Sequence, residues 1–165
     1  MRSKTAVTEA VVFAVAFAAN GELSHFTWWA VLSLIASDIA VFFHIDSDRG
    51  HVLAATVSVC VSITVMFFST QECNVFRNAL AAYGPVTYTL GNFALHYWPS
   101  LRLVPRAVGV ARSWRYGDAA CLITLYTLLH QPVHVYKCPA VLPHEAFVIG
   151  SGVGSVLIEA AMSCF

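Results

Sequence analysis

The sequence predicts an all-α fold, a polytopic bundle of helices crossing a membrane, and three observations carry that prediction. Of the 165 residues, 58% are hydrophobic and only 11% are charged, against about 45–50% and about 25% in soluble domains. Mean hydropathy is +0.70. The apolar residues fall into long runs that are apolar on all faces rather than alternating, which argues against the strands of a membrane barrel. Nine Lys and Arg balance nine Asp and Glu, so the electrostatic attraction that nucleic-acid binding requires is missing and no nucleic-acid partner is expected. The chain is also too apolar to stay solvated as a disordered one. Membrane lipids are therefore the expected surroundings of a single integral membrane helical domain over residues 1–165.

A helix needs roughly 20 apolar residues to cross the hydrocarbon core. Six stretches approach that length, at about 5–20, 24–44, 52–69, 84–101, 117–136 and 141–164. The first is short and carries Glu9, so it reads either as a span or as an interfacial or half-buried helix. A cleaved signal peptide fits poorly, because Ala18-Ala19-Asn20-Gly21 makes a poor cleavage site. Turn-forming residues mark the connections: Asn20-Gly21, Asp46 to Gly50, Gly84-Pro85 and Lys137-Cys138-Pro139. Trp28, Trp29 and Trp98 lie near predicted span ends and Trp114 in a basic loop, as interfacial anchors would. In the last stretch Gly150 and Gly154 form a small-xxx-small spacing suited to close helix contact.

Six spans put both termini on one side, together with Arg2, Lys4, Arg49, Arg102, Arg106, Arg112 and Arg115. The other side keeps only Arg77 and Lys137. That bias over short loops places both termini in the cytosol or the matrix. The endoplasmic reticulum and the mitochondrial inner membrane both fit. The start Met1-Arg2-Ser3-Lys4-Thr5 is basic, but the next stretch contains Glu9 and is not rich in Arg, so no clear mitochondrial presequence is present.

Ionisable groups inside a bilayer are costly, and each needs a reason. The candidates are Glu9, Asp38, His44, His96, His130, His134 and Glu159, which either satisfy one another in a polar bundle core or carry function. His130 and His134 lie four apart, a spacing that suits a metal or haem ligand pair, but Pro132 between them distorts the turn. His44, Asp46, Asp48 and His51 cluster in one connection without the bidentate Glu that closes a calcium loop, and read as a solvated loop around Arg49. Neither a metal nor another cofactor is expected. Five cysteines match neither a zinc pattern nor a dense disulfide frame. Cys60, Cys121 and Cys164 fall in spans as packing residues, whereas Cys73 and Cys138 fall in connections on one side and pair if that side is oxidising.

Thr27 opens the second stretch between Phe26 and Trp28, where threonines commonly cap or bond back to the helix. His96 lies well inside the fourth, four residues after Asn92. Nucleophilic catalysis needs a hydroxyl within hydrogen-bond reach of a base, in a water-poor pocket, and a membrane Thr/His pair meets that need for a lipid ester. At 1.5 Å per residue, Thr27 lies about 7 Å below Glu22 and His96 about 16 Å below Pro85. Upright helices would thus hold the two about 9 Å apart, a gap that tilt or a deeper start of the second span would have to close.

These segments resemble the androgen-induced protein family, also described as the androgen-dependent TFPI-regulating protein family, of multi-span membrane threonine hydrolases acting on fatty acid esters of hydroxy fatty acids. His25-Phe26-Thr27 is similar to the family's hydrophobic-Thr segment opening the second span. Asn92-Phe93-Ala94-Leu95-His96 is similar to its Asn-x-x-x-His motif. His130, Val135-Tyr136 and Pro139 resemble its His followed by an aromatic and Tyr-Pro, and Leu157-Ile158-Glu159 its Leu-Gly-Glu. The resemblance implies Thr27 as nucleophile, His96 as base and Asn92 as the residue that orients the histidine or the substrate. It leaves Glu159 to tune a polar group such as His130. The chain departs from the family at Val65-Met66-Phe67-Phe68, where Phe-Pro is usual, and at Tyr97, where Thr is usual.

Two function classes remain. One is an intramembrane lipid ester hydrolase. The other is a non-catalytic structural subunit of a larger organellar membrane complex, such as a respiratory one, that reuses this scaffold and has protein partners. A proton pathway through Asp38, His96 and Glu159 ranks behind both, since nothing in their spacing lines them up on one face.

Overall fold

The computed structural model describes residues 2–45, 48–70, 73–108, 117–131, 135 and 144–164. Within them the chain is all-helical, with no strand. The helices are α1 (Arg2–Asn20), α2 (Phe26–Phe42), α3 (Asp48–Thr70), α4 (Asn74–Asn92), α5 (Trp98–Ala107), α6 (Asp118–His130) and α7 (His144–Ser163). A five-residue π-helical turn, Phe93–Tyr97, joins α4 to α5 without a break.

The centre of the bundle is α3, which packs against α2, α5, α6 and α7, while α1 leans on α2 and α6 on α7. Small and β-branched residues allow this. Val52, Ala54, Ala55, Val57, Val61 and Val65 are all buried along α3, and their short side chains let neighbouring backbones approach from several directions. Burial reaches 67% over the apolar window of α3 and only 22% over that of α7, and these two helices are long and apolar enough to cross a membrane. Helices α2 and α6 are apolar but shorter.

Aromatic packing ties the layers together. Phe26 of α2 stacks on Tyr126 of α6 with centroids 4.3 Å apart, and Trp28 meets Phe17 of α1 edge-on at 5.6 Å. Trp28 is buried in the core, so the interfacial role expected for it gives way to packing. Apolar side chains also cover the outside: Val11, Val12 and Val15 on α1, Ile63 and Met66 on α3, and Leu128 and Leu129 on α6 are all exposed.

Three boundaries differ from the sequence expectation. The fourth helix starts at Asn74, so Gly84-Pro85 is a kink within it and not a connection. Gly84 takes φ +73 and ψ 164, a conformation open to glycine, and Pro85 then restarts the helix where its missing N–H is no loss. The fifth stretch, expected to reach 136, ends as a helix at His130, with Gln131 left-handed at φ 45 just before Pro132. The residue before a proline is disfavoured in the helical region, which gives the stop a cause. Finally, Arg102 and Arg106 sit on α5 and not in a loop.

Candidate active site

Helix α2 begins at Phe26, after an extended His25, which puts Thr27 in its first turn. Its hydroxyl neither caps the helix nor bonds back. Thr27 Oγ1 lies 2.6 Å from His96 Nε2, across 69 residues of sequence. Both side chains are buried, at 7% and 8% exposure, so water does not compete for the bond.

The π-helical turn presents His96, and its cause is local. Pro99 has no N–H, so the Leu95 carbonyl loses the donor four residues on, and the proline ring crowds that carbonyl. The backbone widens, and the Trp98 N–H bonds the Phe93 carbonyl five residues back. Single π turns of this kind recur at functional sites.

Asn92 stands one turn before His96, and its Oδ1 meets His96 Nδ1. An amide carbonyl oxygen only accepts, so Nδ1 carries the proton and donates it to Asn92. That fixes the tautomer: Nε2 holds the lone pair and accepts from the Thr27 hydroxyl. Hydroxyl, imidazole and orienting amide therefore stand in series, which is the arrangement needed to draw a proton off a nucleophile. The offset of about 9 Å expected between Thr27 and His96 does not arise. That offset takes Pro85 as the head of a span, whereas α4 starts at Asn74, kinks at Gly84 and widens at the π turn.

Behind His96 lies a serine cluster that the residue pattern alone did not reveal. Ser62 Oγ of α3 donates to the His96 carbonyl at 2.6 Å and lies 2.7 Å from Ser100 Oγ of α5. Ser100 is also within 3.3 Å of Ser58 Oγ. Pro99, three residues after His96, is the one signal in the sequence that the helix must open here.

Three of the other ionisable groups that the sequence singled out, Glu9, Asp38 and Glu159, have structural partners. Glu9 takes Arg102 at 3.1 Å and the Trp98 indole N–H at 2.6 Å. Asp38 takes Arg106 at 2.6 Å, and Arg106 also donates to Ser37 Oγ at 2.8 Å. Glu159 is fully buried and accepts the N–H groups of Gly117 at 3.0 Å and Ala119 at 3.3 Å. It is thus an N-terminal cap delivered from α7 to α6, where the helix dipole favours a negative charge. His130 lies at the opposite end of α6, near Tyr126 and Trp29 at centroid distances of 5.2 and 6.5 Å. The expected pairing of Glu159 with His130 is therefore not made.

Among the described residues no three His, Cys, Asp or Glu side chains converge as metal ligands. His134, Asp46 and Cys138 lie outside the described residues. Cys60 is buried, but Cys121 and Cys164 are exposed, in place of the packing role expected of them. Cys73 is held in a disulfide. No family model, curated protein or solved structure matches the chain.

Proposed function

We propose that this chain is a polytopic membrane protein that hydrolyses lipid esters, with Thr27 as nucleophile, His96 as general base and Asn92 as the residue that positions His96. The buried 2.6 Å contact between Thr27 Oγ1 and His96 Nε2 carries the reading. In the reaction, Thr27 Oγ attacks the ester carbonyl as its proton passes to His96 Nε2. The tetrahedral intermediate collapses, the alcohol leaves with that proton, and an acyl-threonine remains. Water then attacks the acyl group with His96 again as base, releasing the carboxylic acid and restoring the hydroxyl.

The membrane setting is supported by the exposed apolar side chains on α1, α3, α6 and α7, a surface that water-soluble monomers rarely carry. A fatty ester would reach Thr27 laterally from the bilayer. Both the similarity to the androgen-induced protein family and the buried pair favour that substrate class. The test is labelling of detergent-purified protein by a fluorophosphonate probe, compared with Thr27→Ala and His96→Ala. Labelling of the wild type that disappears in both variants is the expected result. A folded wild type that stays unlabelled refutes the reading.

A second reading, a non-catalytic subunit of a larger membrane complex, is favoured by the outer face of α7. There Ile149, Val153 and Leu157 are exposed, and a Cβ at Gly150 or Gly154 would meet nothing within 4 Å. Such a face accepts a neighbouring helix closely. Co-purification with a fixed partner set at constant stoichiometry would favour it, and an isolated monomer would count against it.

A further inference from the structure

The hydrogen bond from Ser62 Oγ to the His96 carbonyl is the shortest link between the central helix and the π turn. A π turn leaves a carbonyl out of the regular i to i+4 ladder, and an unpaired carbonyl in an apolar interior is costly. The carbonyl that Pro99 deprives of its donor is that of Leu95; the His96 carbonyl, one residue on, has two lone pairs, and a side chain from another helix that donates to it fixes where the turn sits. Here that side chain belongs to α3, which packs against most of the bundle. Ser62 is itself backed. Each hydroxyl has one proton to give. If Ser62 gives its proton to the His96 carbonyl at 2.6 Å, its oxygen is left to accept from Ser100 at 2.7 Å. Ser58 spends its proton on the Ala55 carbonyl at 2.9 Å. Ser62 Oγ also lies 3.0 Å from the Ser58 carbonyl and Ser100 Oγ 3.3 Å from Ser58 Oγ, so it is the shorter contacts, Ser100 to Ser62 and Ser62 to His96, that set the order of donors.

Resting on the reading of Thr27 and His96 as nucleophile and base, we propose that Ser62, backed by Ser100, is the positioning residue of the site: it clamps the π turn to α3 and so sets the His96 imidazole against Thr27. Asn92 fixes which nitrogen carries the proton, and Ser62 fixes where the ring stands. The two functions are separable, because Asn92 acts on the ring and Ser62 on the backbone beneath it. Alternatives to serine are few. Alanine removes the donor, and valine adds bulk without one. Threonine keeps the hydroxyl on the same carbon, and α3 already carries buried threonines at Thr56 and Thr64.

The experiment compares wild type with Ser62→Ala and Ser62→Thr in two readouts on the full chain in detergent. The first is the rate of fluorophosphonate labelling as a function of pH. The second is the pair of 15N chemical shifts of the His96 imidazole, assigned by their loss in His96→Gln, which needs no catalysis. Ser62→Ala should slow labelling by about tenfold to 10²-fold, the range expected for a misplaced catalytic group, and should move the Nε2 signal toward that of an imidazole free of the threonine. Ser62→Thr should restore both. Unchanged shifts and labelling in Ser62→Ala overturn the proposal, as does failure of Ser62→Thr to rescue. If the wild type is not labelled, the hydrolase reading falls, and the shifts alone decide the positioning role. If Ser62→Ala does not fold, Ser100→Ala replaces it: a smaller change of the same sign supports the proposal, and no change overturns it.

Discussion

Glu159 on the last helix and Gly117 at the head of α6 are joined by a 3.0 Å hydrogen bond in which a fully buried carboxylate accepts a backbone N–H. With Ala119 N–H at 3.3 Å the same carboxylate closes the first turn of α6. Its negative charge sits where the free N–H groups and the helix dipole converge. Replacing Glu159 by Ala leaves those donors unpaired in the interior, at about 1–3 kcal/mol. Glu159→Gln keeps an acceptor and should cost less. Thermal unfolding in detergent by circular dichroism checks the order: wild type above Gln, and Gln above Ala.

The ion pair of Arg106 with Asp38 invites a double-mutant cycle. Asp38 is buried and takes Arg106 at 2.6 Å. Removing only the arginine, as Arg106→Met, strands a buried charge and should destabilise by about 3–5 kcal/mol. Replacing both, as Arg106→Met with Asp38→Leu, should recover most of the loss, because a pair of apolar side chains asks nothing of the interior. A double variant no more stable than Arg106→Met would mean that the stranded carboxylate is not the source of the loss.

Asn92 holds His96 in one tautomer through Nδ1. Asn92→Leu should leave the fold standing and lower probe labelling by about 10²-fold or more, since losing the orienting partner in an analogous triad costs about 10⁴. Measured as labelling rate against probe concentration, the loss should fall on the maximal rate and not on apparent affinity.

Acidification gives a further test with a definite sign. Protonation of His96 at Nε2 removes the lone pair that accepts from Thr27. Labelling should fall as pH drops and plateau once the imidazole is neutral. Thr27→Ser should follow the same profile. A labelling rate independent of pH would contradict a histidine base.

Cys121 separates a lipid environment from water. Its side chain is exposed on α6, among the exposed Leu125 and Leu128. If bilayer covers that face, a charged, membrane-impermeant maleimide should leave Cys121 unmodified in intact vesicles, and Cys164 near the carboxyl terminus should react from one side only. Peptide mapping by mass spectrometry reads both. Rapid modification of Cys121 in vesicles would contradict the membrane assignment.

The helical class was legible in the sequence because long, uniformly apolar runs have few alternatives. Asn92 and His96 were legible as an orienting residue and a base one helical turn apart, and Thr27 joined them through the family resemblance and not through any spacing of its own. The kink at Gly84 was visible only as a turn signal, since the same dipeptide ends a helix in one setting and bends it in another.

Composition and periodicity determined what the chain is made of: apolar helices with a handful of polar groups that had to find partners. Which partners they found depended on contacts between segments far apart in the chain. Glu9 met Arg102 and Asp38 met Arg106 because α5 runs on as helix to Ala107. Glu159 turned to the head of α6 and away from His130 because the two ends of one helix are separated by its length. Thr27 met His96 because Pro99 opens a π turn and Ser62 donates to the His96 carbonyl within it. Hydrogen bonds fall off within a few tenths of an ångström, so residue types nominate a site, and only packing brings its atoms within reach.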